Sequence, residues 1–350
     1  MLKETLSASK IKTLKSCSWQ YWCKYHLKLP DKTNSGALKG EIVHLILECL
    51  GEARHLKHYN LIIKKKNVLA SSAIERLINK HIKKKSLEDP EHFDDICEMA
   101  YKGLLYDFFG KKFGKPTDIV SEKNFEIVVE EGDVAYKVKG FIDKLFIYGN
   151  QNAVLIRDYK TNKKKYEGKE VTDNLQDYIY TLAIRKLYPD IKDITMEFLF
   201  LKKDLDDGGV MPMQPKTKFE LIGFEHELTA YQKYADTFIE KTAKSNLAAS
   251  QGMPKDGSFS GKLLCGFASK PNELKKDGTP KWCCTYKFAF DYFVIIDKDK
   301  KIRKSAFTKK EISVYTLQAG EKIEKRKYSG CPAFNKNEED AFDDFDLDKF

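Results

Sequence analysis

Arginine is scarce in this chain. Only six of its 62 basic residues are arginine, the rest being lysine, and its 350 residues include three tryptophans and ten prolines. The shortage bears on recognition. Arginine supplies the planar fork that reads guanine bidentately, whereas lysine is a compact point charge suited to phosphate. The charge here therefore favours backbone contact over base reading. Long apolar runs are missing too. No stretch approaches the ~18 consecutive apolar residues of a membrane span, and Met1-Leu2-Lys3-Glu4-Thr5 has no signal-peptide core. There is no G-x-x-x-x-G-K-[ST] phosphate loop, so the sequence offers no Walker A nucleotide site. No internal repeat or long Gly/Ser linker breaks the chain. Nothing marks secretion, so the eight cysteines need not pair, and a reducing, cytoplasmic compartment is expected.

What is present suits a folded, polyanion-binding protein. Hydrophobic residues make up 42% and aromatics 12%, enough for a core and against disorder. The net charge of +10 is uneven: residues 335–350 hold seven acids against two lysines, so the tail is −5 and the body +15. A body that basic usually meets nucleic acid. The runs Lys64–Lys66 and Lys83–Lys85 read as solvated faces. Lys163-Lys164-Lys165, with Tyr166 beside it, is better placed for phosphate contact and base stacking.

Periodicity predicts helices over Leu6–His26, Leu38–Arg54, 67–86 and 92–113. The texture then changes. Phe125–Glu130 and Val134–Ile147 read as strands around the turn Glu131-Gly132-Asp133, and Ala153–Tyr159 as a third, buried strand. A helix is expected over Asp173–Leu187, a fourth strand over Ile194–Lys202, a fifth over Phe219–Glu225, and a helix over Thr229–Asn246. Beyond 250 the signal is irregular until a strand at Tyr292–Asp297. The sum is a mixed α/β sheet in a helical setting.

The chemistry-bearing pattern lies on the second and third strands. Gly140-Phe141-Ile142-Asp143 places one acid, and Asp158-Tyr159-Lys160 places an acid and a lysine two apart, hence on one face of a strand. A short turn joins the strands, so Asp143 can lie beside Asp158. Two carboxylates can hold a hard divalent cation that polarises a phosphodiester and acidifies a bound water. A lysine can orient that water and offset charge on the phosphorane. Alone, D-x-K is more often a surface ion pair. Gly40 and His44 open an apolar helix, and Gln176 and Tyr180 share one helix face after the D-x-K strand.

Together these residues resemble the PD-(D/E)XK nuclease superfamily, in the branch of RecB and AddB nuclease domains, CRISPR-associated nucleases and phage-type recombination exonucleases. The order is Ser7-x-Ser9, Cys17 before Trp22 and Tyr25, Gly40-x-x-x-His44, Gly140-x-x-Asp143, Asp158-x-Lys160 and Gln176-x-x-x-Tyr180, spanning about residues 6–190. The resemblance implies a restriction-endonuclease-like mixed sheet flanked by helices, with a helical N-terminal region and an irregular C-terminal extension. It implies one domain over 1–334, in which residues 1–115 are the helical region, 116–250 the catalytic core and 251–334 a closing segment. A disordered acidic tail, 335–350, follows. The resemblance assigns metal binding to His44, Asp143, Asp158 and the carbonyl of Tyr159, catalysis to Asp143, Asp158 and Lys160, and site support or DNA contact to Gln176 and Tyr180. Ile142 stands where the family name has proline. Glu122 lies where relatives often carry an acid before the first core strand, and receives a supporting role.

The implied activity is a Mg2+- or Mn2+-dependent DNA exonuclease, preferring single strands, in recombination, repair or replication. A structure- or site-specific endonuclease and a non-catalytic DNA-binding recombination subunit are the alternatives. Several relatives hold a 4Fe–4S cluster through one cysteine of the first helix and three near the C-terminus. Cys17 matches the first. Cys265, Cys283 and Cys284, spaced C-x17-C-C, and the distant Cys331 match the C-terminal pattern poorly. A cluster on Cys17, Cys265, Cys283 and either Cys284 or Cys331, a zinc site, and plain buried thiols all stay open. The acidic, Phe-terminated tail resembles those of single-stranded-DNA-binding proteins. It suits a DNA-mimicking fold-back, a helicase or replication partner, or a solubilising role.

Overall fold

The computed structural model describes residues 5–87, 89–250 and 262–335, so the acidic residues of the tail, from Glu338 on, lie outside the described residues. The chain divides into two units, one from Met1–Ala8 with Thr33–Asp236, the other from Ser9–Lys32 with Thr237–Phe350. Among the described residues no helix is long and apolar enough to cross a membrane. Two helices, α1 (Ala8–Ser16) and α2 (Ser18–Tyr21), belong to the second unit and are taken up with it.

The first unit begins with four helices, α3 (Ser35–Gly51), α4 (Leu56–Lys65), α5 (Ser72–Lys85) and α6 (Pro90–Leu105). Local chemistry sets their starts. The Asn34 side chain accepts from Ala37 N–H at 2.8 Å, Ser71 caps α5, and Asp89 with Pro90 opens α6. α3 buries Ile42, Val43, Ile46, Leu47 and Leu50, a 3.6-residue stripe that packs with α4–α6, with Tyr159 and Leu199 of the sheet and with Leu201 just beyond it. Truncating one such residue, Ile46→Ala, costs ~2–5 kcal/mol.

The sheet of this unit has five strands in the order β1 (Asp118–Glu131), β2 (Val134–Tyr148), β3 (Ala153–Lys160), β4 (Asp193–Phe200) and β5 (Val210–Met213). Every neighbouring pair is antiparallel except β3 and β4, which are joined by the crossover helix α7 (Leu175–Leu187). β3 is central and buried on both faces from Val154 to Tyr159. On one face Arg157 donates to Glu197 at 2.7 Å and to the Asp107 carbonyl at 2.8 Å. The expected mixed, helix-flanked sheet is therefore what the chain forms.

Several element expectations need correction. Phe219–Glu225 is not a strand but the start of α8 (Lys218–Asp236). Leu221, Phe224 and Leu228 are among its buried residues, a helical spacing, while Phe219 is exposed. Thr217 and Glu220 cap it reciprocally. The fifth strand is instead β5, whose Pro212 is tolerated because it stands on an edge. The helix expected over 92–113 ends at Leu105, where the carbonyls of Tyr106 and Asp107 turn toward Arg157. The helix expected over 67–86 starts only at Ser72, and α4 was not anticipated.

In the second unit the single helix expected over 6–26 is three pieces. Cys17 is extended (φ −162°) between α1 and α2, and a π-helical turn covers Trp22–His26. Ser18 donates to the Ala243 carbonyl at 2.7 Å, and Trp19 Nε1 donates to the Tyr328 hydroxyl at 2.7 Å. The unit continues with the short helices α9 (Glu240–Ala243) and α10 (Lys262–Cys265), strands β6 (Phe290–Ile296) and β7 (Ile302–Ala306), α11 (Lys309–Ile312) and β8 (Lys322–Tyr328). The C-terminal extension is irregular over residues 266–289, as expected, and then forms an antiparallel sheet, β7-β6-β8.

Candidate active site

The site begins where two strands separate. The β2–β3 ladder ends at the pair Lys144↔Arg157, so the next residues, Asp143 and Asp158, are released from it. β3 nevertheless continues on its other side, pairing Asp158 with Phe198 and Lys160 with Phe200 of β4. The Tyr159 N–H left over at the fork is taken by Asp143 Oδ2 at 2.7 Å. Strand alternation sends the Tyr159 ring into the helical core and leaves Asp158 and Lys160 on the cleft side.

Helix α3 brings the imidazole. Gly40 and His44 lie one turn apart, and a Cβ at Gly40 would stand 2.7 Å from Thr161 Oγ1, so glycine permits the close approach to the segment following β3. His44 Nδ1 is then 3.2 Å from Asp143 Oδ1 and 3.8 Å from Glu122 Oε1. One ligand atom from each of these three residues lies within 4.8 Å of the others, a spacing that a single cation can bridge. Glu122 reaches this position from a left-handed backbone, φ +49° within β1, a conformation that costs a non-glycine residue ~1–3 kcal/mol. Burial pulls the His44 pKa down, but the carboxylates of Asp143, Glu122 and Asp158 outweigh it and hold the pKa well above the ordinary value. A cation entering here displaces a proton.

Asp158 sits beside this cluster in a different company. Its Oδ2 is 2.7 Å from Lys160 Nζ, and its Oδ1 accepts from Gln176 Nε2. Burial pushes its carboxyl up to about 6, against the pull of Lys160, with Asp143 adding to the rise. The Lys160 ammonium is stabilised in return: burial opposes its charge, but Asp158 prevails and raises its pKa. Lys160 Nζ also donates to Gln176 Oε1 at 2.7 Å. Gln176 Nε2 donates to the Tyr180 hydroxyl at 2.6 Å, which donates to the Phe141 carbonyl. This chain from α7 orients the lysine and aspartate from behind. Asn174 starts it by capping α7 with bonds to Gln176 N–H (3.0 Å) and Asp177 N–H (3.3 Å).

The structure thus brings His44, Asp143, Asp158, Tyr159, Lys160 and Gln176 to one cavity. Glu122, expected only to support, stands among the closest potential ligands, while Asp158 stands next to them and is held by Lys160 and Gln176. Asn34 and Asn162, which the sequence did not single out, complete the wall. Of the lysine run, Lys163 and Lys164 are exposed, and Lys165 donates to the Gly208 carbonyl. The Tyr166 ring makes T-shaped contacts with Phe198 and Phe200, at centroid distances of 5.0 and 5.6 Å.

The cysteines gather in the second unit. Cys17, Cys265, Cys284 and Cys331 line one small cavity with Tyr286 and Lys287. Cys283 does not line it; that residue bridges Gly266 through its backbone. Burial pushes the Cys284 thiol up to about 12 and Cys331 to about 11. Four thiols around one cavity, from four separate chain positions, fit the ligand set of an iron–sulfur cluster. The spacing could not choose between the adjacent pair, because the choice depends on how the segment is turned.

Comparison with known families finds a match. The family model described as PD-(D/E)XK nuclease superfamily matches residues 5–265, a span that includes every residue of the cleft. A search of curated proteins finds no match.

Proposed function

Since the chain belongs to the PD-(D/E)XK nuclease superfamily, we propose that this metal-dependent nuclease is a Mg2+-dependent exonuclease that hydrolyses phosphodiester bonds at DNA ends. We further assign it a preference for single strands and a place in recombination, repair or replication. The observation that carries the reading is the strand fork, which turns Asp143, Asp158 and Lys160 toward one cavity shared with His44. Asp143, Glu122, His44, Asp158 and the Tyr159 carbonyl are the groups that would hold the cation. When bound, a divalent cation polarises the phosphodiester and makes a bound water acidic. Lys160 presents its ammonium where charge builds on the phosphorane oxygens. Gln176 and Tyr180 fix Lys160 and Asp158, so no reorientation is needed when substrate arrives.

The test uses end-labelled linear single and double strands and a covalently closed circle, with Mg2+ or with chelator. Progressive loss of linear single strands, an intact circle, and no reaction for Asp158→Ala are expected. Cleavage of the circle points instead to an endonuclease. Equal degradation by wild type and Asp158→Ala overturns the assignment.

We also place a 4Fe–4S cluster at Cys17, Cys265, Cys284 and Cys331, supported by their shared cavity. Its role within the second unit is to tie the segment after α1 to the C-terminal region, closing a long loop. Anaerobically purified protein is expected to absorb in the visible and to contain stoichiometric iron and sulfide. Cys284→Ser removes both signals and Cys283→Ser keeps them; colourless, iron-free protein sinks the cluster. The acidic tail is assigned to a helicase, replication or single-strand-binding partner, on charge alone. Equal capture of that partner by full-length protein and a chain ending at Phe334 removes the assignment.

A further inference from the structure

Two cavities share His44, Asp143 and Thr161 in their walls. One, about 500 Å3, holds Asp158, Lys160 and Gln176 and is the cleft already described. The other, about 620 Å3, is walled by His81, Lys84 and Lys85 of α5. The metal ligands therefore stand at a junction, and a strand bound there has room to continue along α5.

His81, Lys84 and Lys85 lie three and four residues apart, on one face of α5. Their bonding differs in a telling way. Lys85 is neutralised by Glu41. Among the described residues Lys84 and His81 have no hydrogen bond or ion pair. Lysines in the last turn of a helix are commonly explained by its dipole, and Lys83, Lys84 and Lys85 all qualify. The dipole does not account for direction: Lys83 lines a separate cavity with Asn79 and Asp94, whereas Lys84 lines the one that holds the metal ligands. Glu48 and Glu122 face the same cavity as Lys84, so an anion is favoured next to the ammonium and at a cation-neutralised junction, not throughout. His81 is suited to the same ligand. Burial, then Lys84, Lys85 and Lys80, lower its pKa, so it offers a neutral N–H to an anionic oxygen.

We propose that Lys84 and His81 form a binding subsite for the phosphate of a nucleotide neighbouring the scissile one, so that α5 guides the substrate strand beyond the metal ligands. The subsite presupposes the nuclease activity proposed above and specifies how that site holds its polyanion. A compact ammonium and a neutral imidazole recognise a phosphate without reading a base, in keeping with the lysine-rich, arginine-poor chain.

The experiment measures binding of a fluorescent single-stranded oligonucleotide to the full-length protein across a salt series, with Ca2+ replacing Mg2+, alongside KM for Mg2+-driven cleavage. Each phosphate contact on a single strand contributes about 0.7 to the slope of log affinity against log salt, so Lys84→Ala is expected to flatten the slope by that amount. Its KM rises roughly three- to tenfold, the loss of one charge-assisted contact. Lys83→Ala removes the same charge one residue away and leaves slope and KM at the wild-type values. Lys84→Ala indistinguishable from wild type, or Lys83→Ala indistinguishable from Lys84→Ala, overturns the subsite. A wild type that never cleaves, while Lys84→Ala still flattens the slope, sinks the nuclease reading and with it the subsite's place beside a scissile nucleotide, leaving a phosphate contact alone. A wild type that cleaves, with Lys84→Ala unaltered, sinks the subsite alone.

Discussion

The two faces of the central sheet carry nearly the same residue types and use them in opposite ways. On the cleft face, Asp143, Asp158 and Lys160 are held by a few directed bonds and open onto a cavity. On the other face, one residue along each strand, Lys144 and Arg157 are sealed at 1% exposure each. Arg157 is saturated by Glu197 and the carbonyls of Tyr106 and Asp107. Among the described residues Lys144 has no hydrogen-bond partner, and its ammonium lies 3.1 Å from the centre of the Phe108 ring. A buried charge is thus no sign of chemistry by itself. What separates the faces is whether the charges converge on space that a ligand can enter.

The comparison breaks most sharply by substitution on the cleft face. Asp143→Ala, Asp158→Ala and Lys160→Ala are each expected to lower nuclease turnover by about a hundred- to a thousandfold, the scale of losing a directed electrostatic contact to the transition state. Oligonucleotide binding and melting temperature are expected to stay close to wild type, and a parallel collapse of folding, read by circular dichroism, contradicts the division of labour.

Arg157→Leu should do the reverse. It leaves Glu197 buried without its partner, a loss of about 3–5 kcal/mol in stability. Urea denaturation measures it, and the activity of the fraction that stays folded should survive. Lys144→Met is milder and has the opposite sign. Burial, then Arg157, hold the Lys144 pKa well below its ordinary value, against a smaller pull from Asp107. Between that lowered pKa and the unfolded value near 10.4, the unfolded chain binds the extra proton, so wild-type stability rises with pH across this window. Methionine removes the burial cost. We expect a gain of about 1–3 kcal/mol at neutral pH, shrinking as pH approaches 10.4; a gain that is constant with pH excludes the lysine as its source.

How much of this was readable beforehand follows from the same contrast. The D-x-K spacing states that Asp158 and Lys160 share a face, because strand alternation is a local rule. Gln176 and Tyr180 follow from helical spacing in the same way. Glu122 does not, since its reach depends on a left-handed backbone that glutamate has no intrinsic tendency to adopt. Nor does the fact that Cys284 and not Cys283 lines the small cavity of the second unit, which turns on the orientation of an irregular segment. β5 was hidden by Pro212 and α8 by the exposed Phe219, both cases where a residue's place in the tertiary structure overrides its local preference. By charge alone nothing in the sequence separates Lys144 and Arg157 from their neighbours Asp143 and Asp158. Only the ring beneath one and the carbonyls around the other show otherwise.

The smallest expected effect probes how the cleft face acquires its imidazole. In a helix Gly→Ala ordinarily stabilises, by roughly 0.5–1 kcal/mol. At Gly40 the new methyl would meet Thr161 Oγ1 at 2.7 Å, so either that hydroxyl turns away or α3 backs off and takes His44 with it. An off-rotamer adjustment of this kind costs ~0.5–1.5 kcal/mol, or roughly a two- to tenfold loss of Mg2+ affinity if it falls on the metal ligands. Gly40→Ala is therefore expected to melt close to wild type, the two effects nearly offsetting, while requiring more Mg2+ for half-maximal cleavage. Adding Thr161→Ala removes the obstructing hydroxyl and should restore the Mg2+ requirement. If the double variant stays as impaired as the single one, helix approach is not what positions His44, and the link from glycine to imidazole fails.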